Sequence, residues 1–148
     1  MHFLEVVLEG IVPAAFGILF LAGGVSKCLR ISSVFHIISN YRLLPDTAAH
    51  LASYLLGPAE AVTGLLFLTA IFLPVYKLAW AATTGMLLVF SFAILSALLR
   101  GLKIPCGCGI LLNGHVIRWT TLLRNLLLLT ILAIDLLIKV HFLGLRLI

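Results

Sequence analysis

Charge is scarce in this sequence. Asp, Glu, Lys and Arg make up 10% of its 148 residues, against about 25% in an ordinary soluble domain. It also lacks a phosphate-cradling Walker loop, a dinucleotide-binding glycine fingerprint and a zincin HExxH helix, so the chemistries those motifs carry have no basis here. Cysteine is limited to Cys28, Cys106 and Cys108. The opening residues, Met1-His2-Phe3-Leu4-Glu5, lack the basic segment of a cleavable signal peptide and are followed by Glu9, so the first apolar segment is expected to be retained.

What the chain has in excess is apolar surface, with 63% hydrophobic residues and a mean hydropathy of +1.25. A hydrocarbon core about 30 Å thick is crossed by about 20 apolar residues in a helix. Runs of that length recur at Leu4–Lys27, His50–Leu73, Tyr76–Leu99 and Ile117–Phe142. The expected fold is all-α, a four-helix transmembrane bundle forming one domain over residues 1–148. The net charge of +5 comes from residues flanking these runs, which suits a membrane surface and gives no reason to expect nucleic acid.

Only Leu73-Pro74-Val75-Tyr76 joins the second run to the third, so these two form an antiparallel hairpin. The two longer connections, Cys28 to Ala49 and Arg100 to Val116, then emerge on one face, which carries all three cysteines. Lys27, Arg30, Arg42, Arg100, Lys103, Arg118 and Arg124 belong to that face or just below it, and Lys77, Lys139 and Arg146 to the other. The positive-inside rule assigns the cysteine face to the cytoplasm, whereas disulfide chemistry belongs outside it. The two signals oppose each other, and the residues alone leave the orientation open.

Cys106-Gly107-Cys108-Gly109 occupies the polar, Gly- and Pro-punctuated stretch between two apolar runs. Pro105 holds Ile104 extended, and Gly107 and Gly109 permit the tight turn that a Cys-x-Cys pair needs. A disulfide in so small a ring is strained and exchanges electrons readily. Arg100, Lys103 and Arg118 are placed to lower a thiol pKa, and His115 to accept a proton. Two other readings stand beside this one. Free cysteines are often small buried hydrophobes, which applies most to Cys28. Cys28, Cys106, Cys108 and His115 would also make a four-ligand metal set, although their spacing matches no usual zinc finger.

Glu60 lies deep in the second run, two residues after Pro58, which should kink the helix. An intramembrane carboxylate is either functional, as a proton carrier or an anchor for a polar cofactor, or it is paired for packing, here with Lys27 or Arg124. Arg124, followed by Asn125, shares a face with Asp135 that should look into the bundle, while Asp135 and Lys139 can satisfy each other at i,i+4. Candidate partners for Arg124 are Glu60, a thiolate or a bound headgroup. Gly17 and Gly24 form a small-residue stripe, with Gly64 and Gly85 as candidates for the same role. Trp80 and Trp119 fit interfacial anchors.

Several segments together resemble the MauE family of methylamine-utilisation proteins, within the DoxX-like four-helix membrane proteins. They are Phe20-Leu21-Ala22-Gly23-Gly24-Val25-Ser26-Lys27, Asn40-Tyr41-Arg42-Leu43-Leu44-Pro45, Glu60, Arg100-Gly101, Cys106-Gly107-Cys108-Gly109 and Leu123-Arg124-Asn125. The resemblance runs along nearly the whole chain. It implies a multi-pass protein of the bacterial inner membrane, acting in maturation, processing or export of the disulfide-rich small (beta) subunit of methylamine dehydrogenase. It also implies a thioredoxin-like partner outside the cytoplasm, and hence a periplasmic Cys106/Cys108 face. Gly109-Ile110 and Cys28 depart from the family pattern.

The resulting expectation is a membrane thiol-disulfide redox protein. Cys106 and Cys108 carry the exchange, Lys27, Glu60, Arg100, His115, Arg124 and Asn125 support it, no metal takes part, and a membrane quinone is the candidate cofactor. A non-enzymatic assembly or export factor, and a small transporter using Glu60 and Arg124, are the alternatives.

Overall fold

The computed structural model describes residues 10–70, 75–105 and 116–142. It contains helices α1 (Val12–Leu29), α2 (Ile31–Asn40), α3 (Asp46–Thr69), α4 (Tyr76–Leu99) and α5 (Trp119–Phe142). All but α2 are long and apolar enough to cross a membrane, so the all-α membrane bundle expected from the apolar runs is what the chain forms. The connection after α1 is not a plain loop. Val34 and Ile37, three residues apart, are buried together with Tyr41, whereas Ser32, Ser33, His36 and Asn40 face outward. That period makes a short amphipathic helix on the cysteine face. α3 starts at Asp46, whose carboxylate favours a helix N-terminus, four residues before the apolar run itself. Pro58 lies inside α3, which runs through it unbroken.

The closest packing is between α1 and α3, and glycine makes it. A Cβ on Gly24 would collide with the backbone of Ala61, and one on Gly64 with the backbone of Leu21. Gly57 meets the Cys28 backbone nitrogen at 2.9 Å in the same sense, and Gly17 meets Leu68 Cγ at 2.7 Å. Gly17 sits against Gly64 and Gly24 against Gly57, as expected of two antiparallel helices carrying the same two-turn glycine spacing. Gly85 does not join this seam: it is exposed on α4 with open space around it.

Two hydrophobic clusters fill the bundle. Phe16, Phe20, Phe67, Tyr76, Ala79, Leu87 and Leu132 form one, joining α1, α3, α4 and α5. Ile37, Tyr41, Ile94, Ala97, Ile117 and Leu122 form the other, beneath the cysteine face. Trp80 turns inward, donating its indole N–H to the Leu132 carbonyl at 3.1 Å, so its polar tip serves packing rather than interfacial anchoring. Trp119 is 62% exposed, in keeping with an anchor.

Candidate functional site

Cys106, Cys108 and His115 lie outside the described residues, but the stem that carries them does not. α4 ends in a Schellman cap: Gly101, at φ 66°, donates its N–H to Leu98 O and Leu102 donates to Ala97 O, each at 3.0 Å. The chain then pairs with the start of the next segment. Pro105 and Val116 form an antiparallel bridge, and Ile117 N–H donates to Ile104 O at 2.9 Å. Ile104 and Ile117 pack with Ile37, Tyr41 and Ala93, so the stem rests on α2 and α4.

Arg100 fastens the same corner. Its Nε donates to Ser96 O at 3.1 Å, its Nη1 to Arg42 O at 3.5 Å and its Nη2 to Tyr41 O. This ties the α2–α3 connection, where Arg42 takes a positive φ of 51°, to the end of α4. Lys103 and Arg118 are exposed beside the stem. Cys28 is exposed at the end of α1, so the buried-hydrophobe reading does not describe it. Among the described residues no group of three His, Cys, Asp or Glu side chains is placed to hold a metal.

Glu60 is paired with Lys27: Nζ lies 2.5 Å from Oε2, and both side chains are 4% exposed. Of the two partners the sequence offered, the structure selects the lysine. The glycine seam explains why, because the backbones of α1 and α3 meet at Gly24 and Ala61 and leave Lys27 to reach back one turn to the carboxylate. Gly23 keeps the space open, since a Cβ there would sit 3.3 Å from Oε2. Lys27 is therefore a poor witness to topology, being a buried partner rather than a free surface charge.

Lys27 borders two cavities, and its Nζ lies 5.8 Å from the centroid of the Phe90 ring, which borders both as well. The first cavity, of about 400 Å³, lies under α2 between α3 and α4, with Val34, Ile37, Tyr41, Leu56 and Ala93 among its walls. Lys27 supplies its one charged group, and Ile37, Tyr41 and Ala93 also support the cysteine stem. The second cavity, of about 300 Å³, is lined by Phe20, Gly23, Glu60, Leu87, Arg124 and Asn125. Asn125 is the buried member of its pair, 2% exposed. Arg124 is exposed at the cavity edge rather than on the inward face of α5.

Sequence reasoning thus named Lys27, Glu60, Arg124 and Asn125, which line one cavity, and Arg100, which holds the stem. It missed Phe90 and Gly57. Nothing in the sequence marks Phe90 among nine phenylalanines, but Gly57 was legible, because it repeats the Gly17–Gly24 spacing from Gly64.

At the other end of the bundle Tyr76 OH donates to Asp135 Oδ2, and Lys139 Nζ lies 3.4 Å from the same oxygen. Lys139 Nζ also sits 3.8 Å from the centroid of the Tyr76 ring. The expected i,i+4 pair is present, with a tyrosine added that sequence spacing did not reveal.

Residues 5–138 match the family described as methylamine utilisation protein MauE. The methylamine utilization protein MauE of Paracoccus denitrificans is 35% identical over 115 residues, which are 75% of this chain and 59% of that protein. The chain therefore matches less than two thirds of that relative's length. No solved structure matches it. A family match over nearly the whole chain, on a bundle of four membrane-length helices, identifies this multi-pass membrane protein as a member of the MauE family.

Proposed function

We propose that the protein is a membrane thiol-disulfide redox protein in which Cys106 and Cys108 exchange electrons with a thioredoxin-like partner. The observation that carries the reading is the closed stem, which brings the two ends of the Cys106–His115 segment together above an apolar membrane cavity. A thiolate of the partner attacks the Cys106–Cys108 disulfide, forming a mixed disulfide and releasing one cysteine as thiolate. The partner's second thiolate then attacks the mixed disulfide, which leaves the partner oxidised and Cys106 and Cys108 as a dithiol. A quinone in the cavity under α2 would supply the acceptor for the two electrons and two protons released when that dithiol closes again. The apolar walls suit a lipophilic ring and Lys27 gives a donor for a carbonyl oxygen. Glu60 and Lys27 hold a proton within the bundle, Arg100 fixes the stem, and His115 accepts the thiol proton. The orientation that serves this chemistry places the cysteine face in the periplasm of a bacterial inner membrane. There the client process we propose, from the family resemblance, is maturation of the disulfide-rich methylamine dehydrogenase small subunit, in line with a relative named for methylamine utilization.

Trapping tests this. A thioredoxin-like partner lacking its second cysteine should accumulate a mixed disulfide with the wild-type chain, and Cys106→Ser and Cys108→Ser, neither of which can form the disulfide that the partner attacks, should each abolish that capture while both variants still insert. Normal trapping in both variants would sink the mechanism. The buried Lys27–Glu60 pair beside two cavities favours a second reading, a small transporter. Under it Glu60→Gln removes activity while a Cys106→Ser/Cys108→Ser double variant keeps it.

A further inference from the structure

The second cavity carries an inference that does not depend on the cysteines. It is walled by α1, α3, α4 and α5, and the gap it fills lies between α1 and α5. These two helices make no substantial contact with each other, whereas α1 and α3 are in backbone contact. Leu19 on α1 and Arg124 on α5 are exposed on either side of that gap, so the cavity opens sideways, toward lipid. Its deeper walls, Phe20, Leu87 and Leu128, are apolar.

Its polar groups do not balance one another. Lys27 and Glu60 cancel as an ion pair. Among the described residues Arg124 has no acidic partner, and the buried Asn125 Nδ2 has no hydrogen-bond partner. A guanidinium and an amide N–H₂ on successive residues thus border the same space, one uncompensated and the other unsatisfied. An amide buried unsatisfied is costly, a guanidinium within a membrane span is costly without a counter-charge, and neither can be satisfied by the cavity's apolar walls. One kind of occupant removes both deficits: a group with a negative charge and at least two acceptor oxygens, one for the guanidinium and one for the amide. A volume of about 300 Å³ is at the small end for ligand sites. It suits a headgroup whose apolar tail leaves between α1 and α5.

We infer that this cavity binds the monoanionic oxygen headgroup of a bilayer amphiphile, with Arg124 pairing the charge and Asn125 Nδ2 donating to a second oxygen. A fatty-acid carboxylate and the phosphodiester of an acidic phospholipid share this chemistry.

Native mass spectrometry on the full chain, released from micelles containing oleate, phosphatidylglycerol or phosphatidylcholine, tests the assignment. The expected result is one retained acidic amphiphile per chain, with at least a tenfold preference over phosphatidylcholine. That retention should fall at least tenfold in Arg124→Gln and in Asn125→Leu. Competition between oleate and phosphatidylglycerol identifies the source. Arg124→Lys keeps the charge but loses the fork, and should retain binding at an intermediate level. Asn125→Asp is close in shape to the native side chain and should also lose binding, which guards against a folding defect in Asn125→Leu. Equal retention of phosphatidylglycerol by the wild type and all these variants would overturn the assignment. So would retention of a neutral quinone such as decylubiquinone in place of either acid, with the same sensitivity to Arg124 and Asn125.

Discussion

Among the described residues the bundle holds two buried ion pairs, and they are built to different ends. Lys27 and Glu60 are 33 residues apart in sequence and come from helices whose backbones touch; both border the second cavity, and Lys27 borders the first as well. Asp135 and Lys139 are neighbours on one helix, sealed by the Tyr76 hydroxyl and ring, with Phe67 edge-on to that ring at 6.1 Å. The first pair depends on tertiary register and faces open space. The second depends only on a helical turn and is packed closed. A charge beside a cavity is available to chemistry, whereas one closed by an aromatic ring holds helices together.

The largest expected effect is at Glu60. Glu60→Gln leaves the Lys27 ammonium buried without a counter-charge, at a cost of about 3–5 kcal/mol, visible as a lowered unfolding midpoint in micelles. A Lys27→Met/Glu60→Leu double variant should recover most of that stability and still fail in electron transfer. Full activity of the double variant would reduce the pair to a packing device. Asp135→Asn should cost less, about 1–3 kcal/mol, because the carboxamide still accepts from Tyr76 and Lys139 keeps the aromatic face. Its mixed-disulfide trapping should match wild type, and impaired trapping would erase the distinction between the two pairs. Gly24→Ala pushes a methyl group into the Ala61 backbone and should cost about 1–3 kcal/mol. It should also slow exchange, since the seam sets the distance from Lys27 to Glu60. Tyr76→Phe, which removes one hydrogen bond to Asp135, should cost about 1 kcal/mol with exchange unchanged. Smallest is Gly85→Ala, on an exposed face with open space around it. It should stay within about 0.5 kcal/mol of wild type, and a larger loss would indicate a contact on that face.

The four membrane helices were readable because length and hydropathy alone define them, without any knowledge of what packs where. α2 was passed over although Val34, Ile37 and Tyr41 carry its period, because ten residues inside a connection fall below the length at which apolar runs stand out. The partner of Glu60 was narrowed to two cations, and no local rule could choose between them. The choice follows from the antiparallel glycine register, one member of which, Gly57, went unread. Gly85 shows the reverse error, since glycine signals close approach only where another backbone approaches. Arg124 and Asn125 differ by one residue, about 100° around the helix, and only the packed bundle shows which of them is buried. Cys106, Cys108 and His115 rest on sequence alone.

The Pro105–Val116 bridge acts as a leash. Cys106 is the next residue after Pro105 and Cys108 the third, and three residues at no more than 3.6 Å each span at most about 11 Å. Under the proposed exchange, a redox partner would meet the thiols close to this bridge. It would come down onto the small platform formed by α2 and the end of α4, whose shape would then help select the partner.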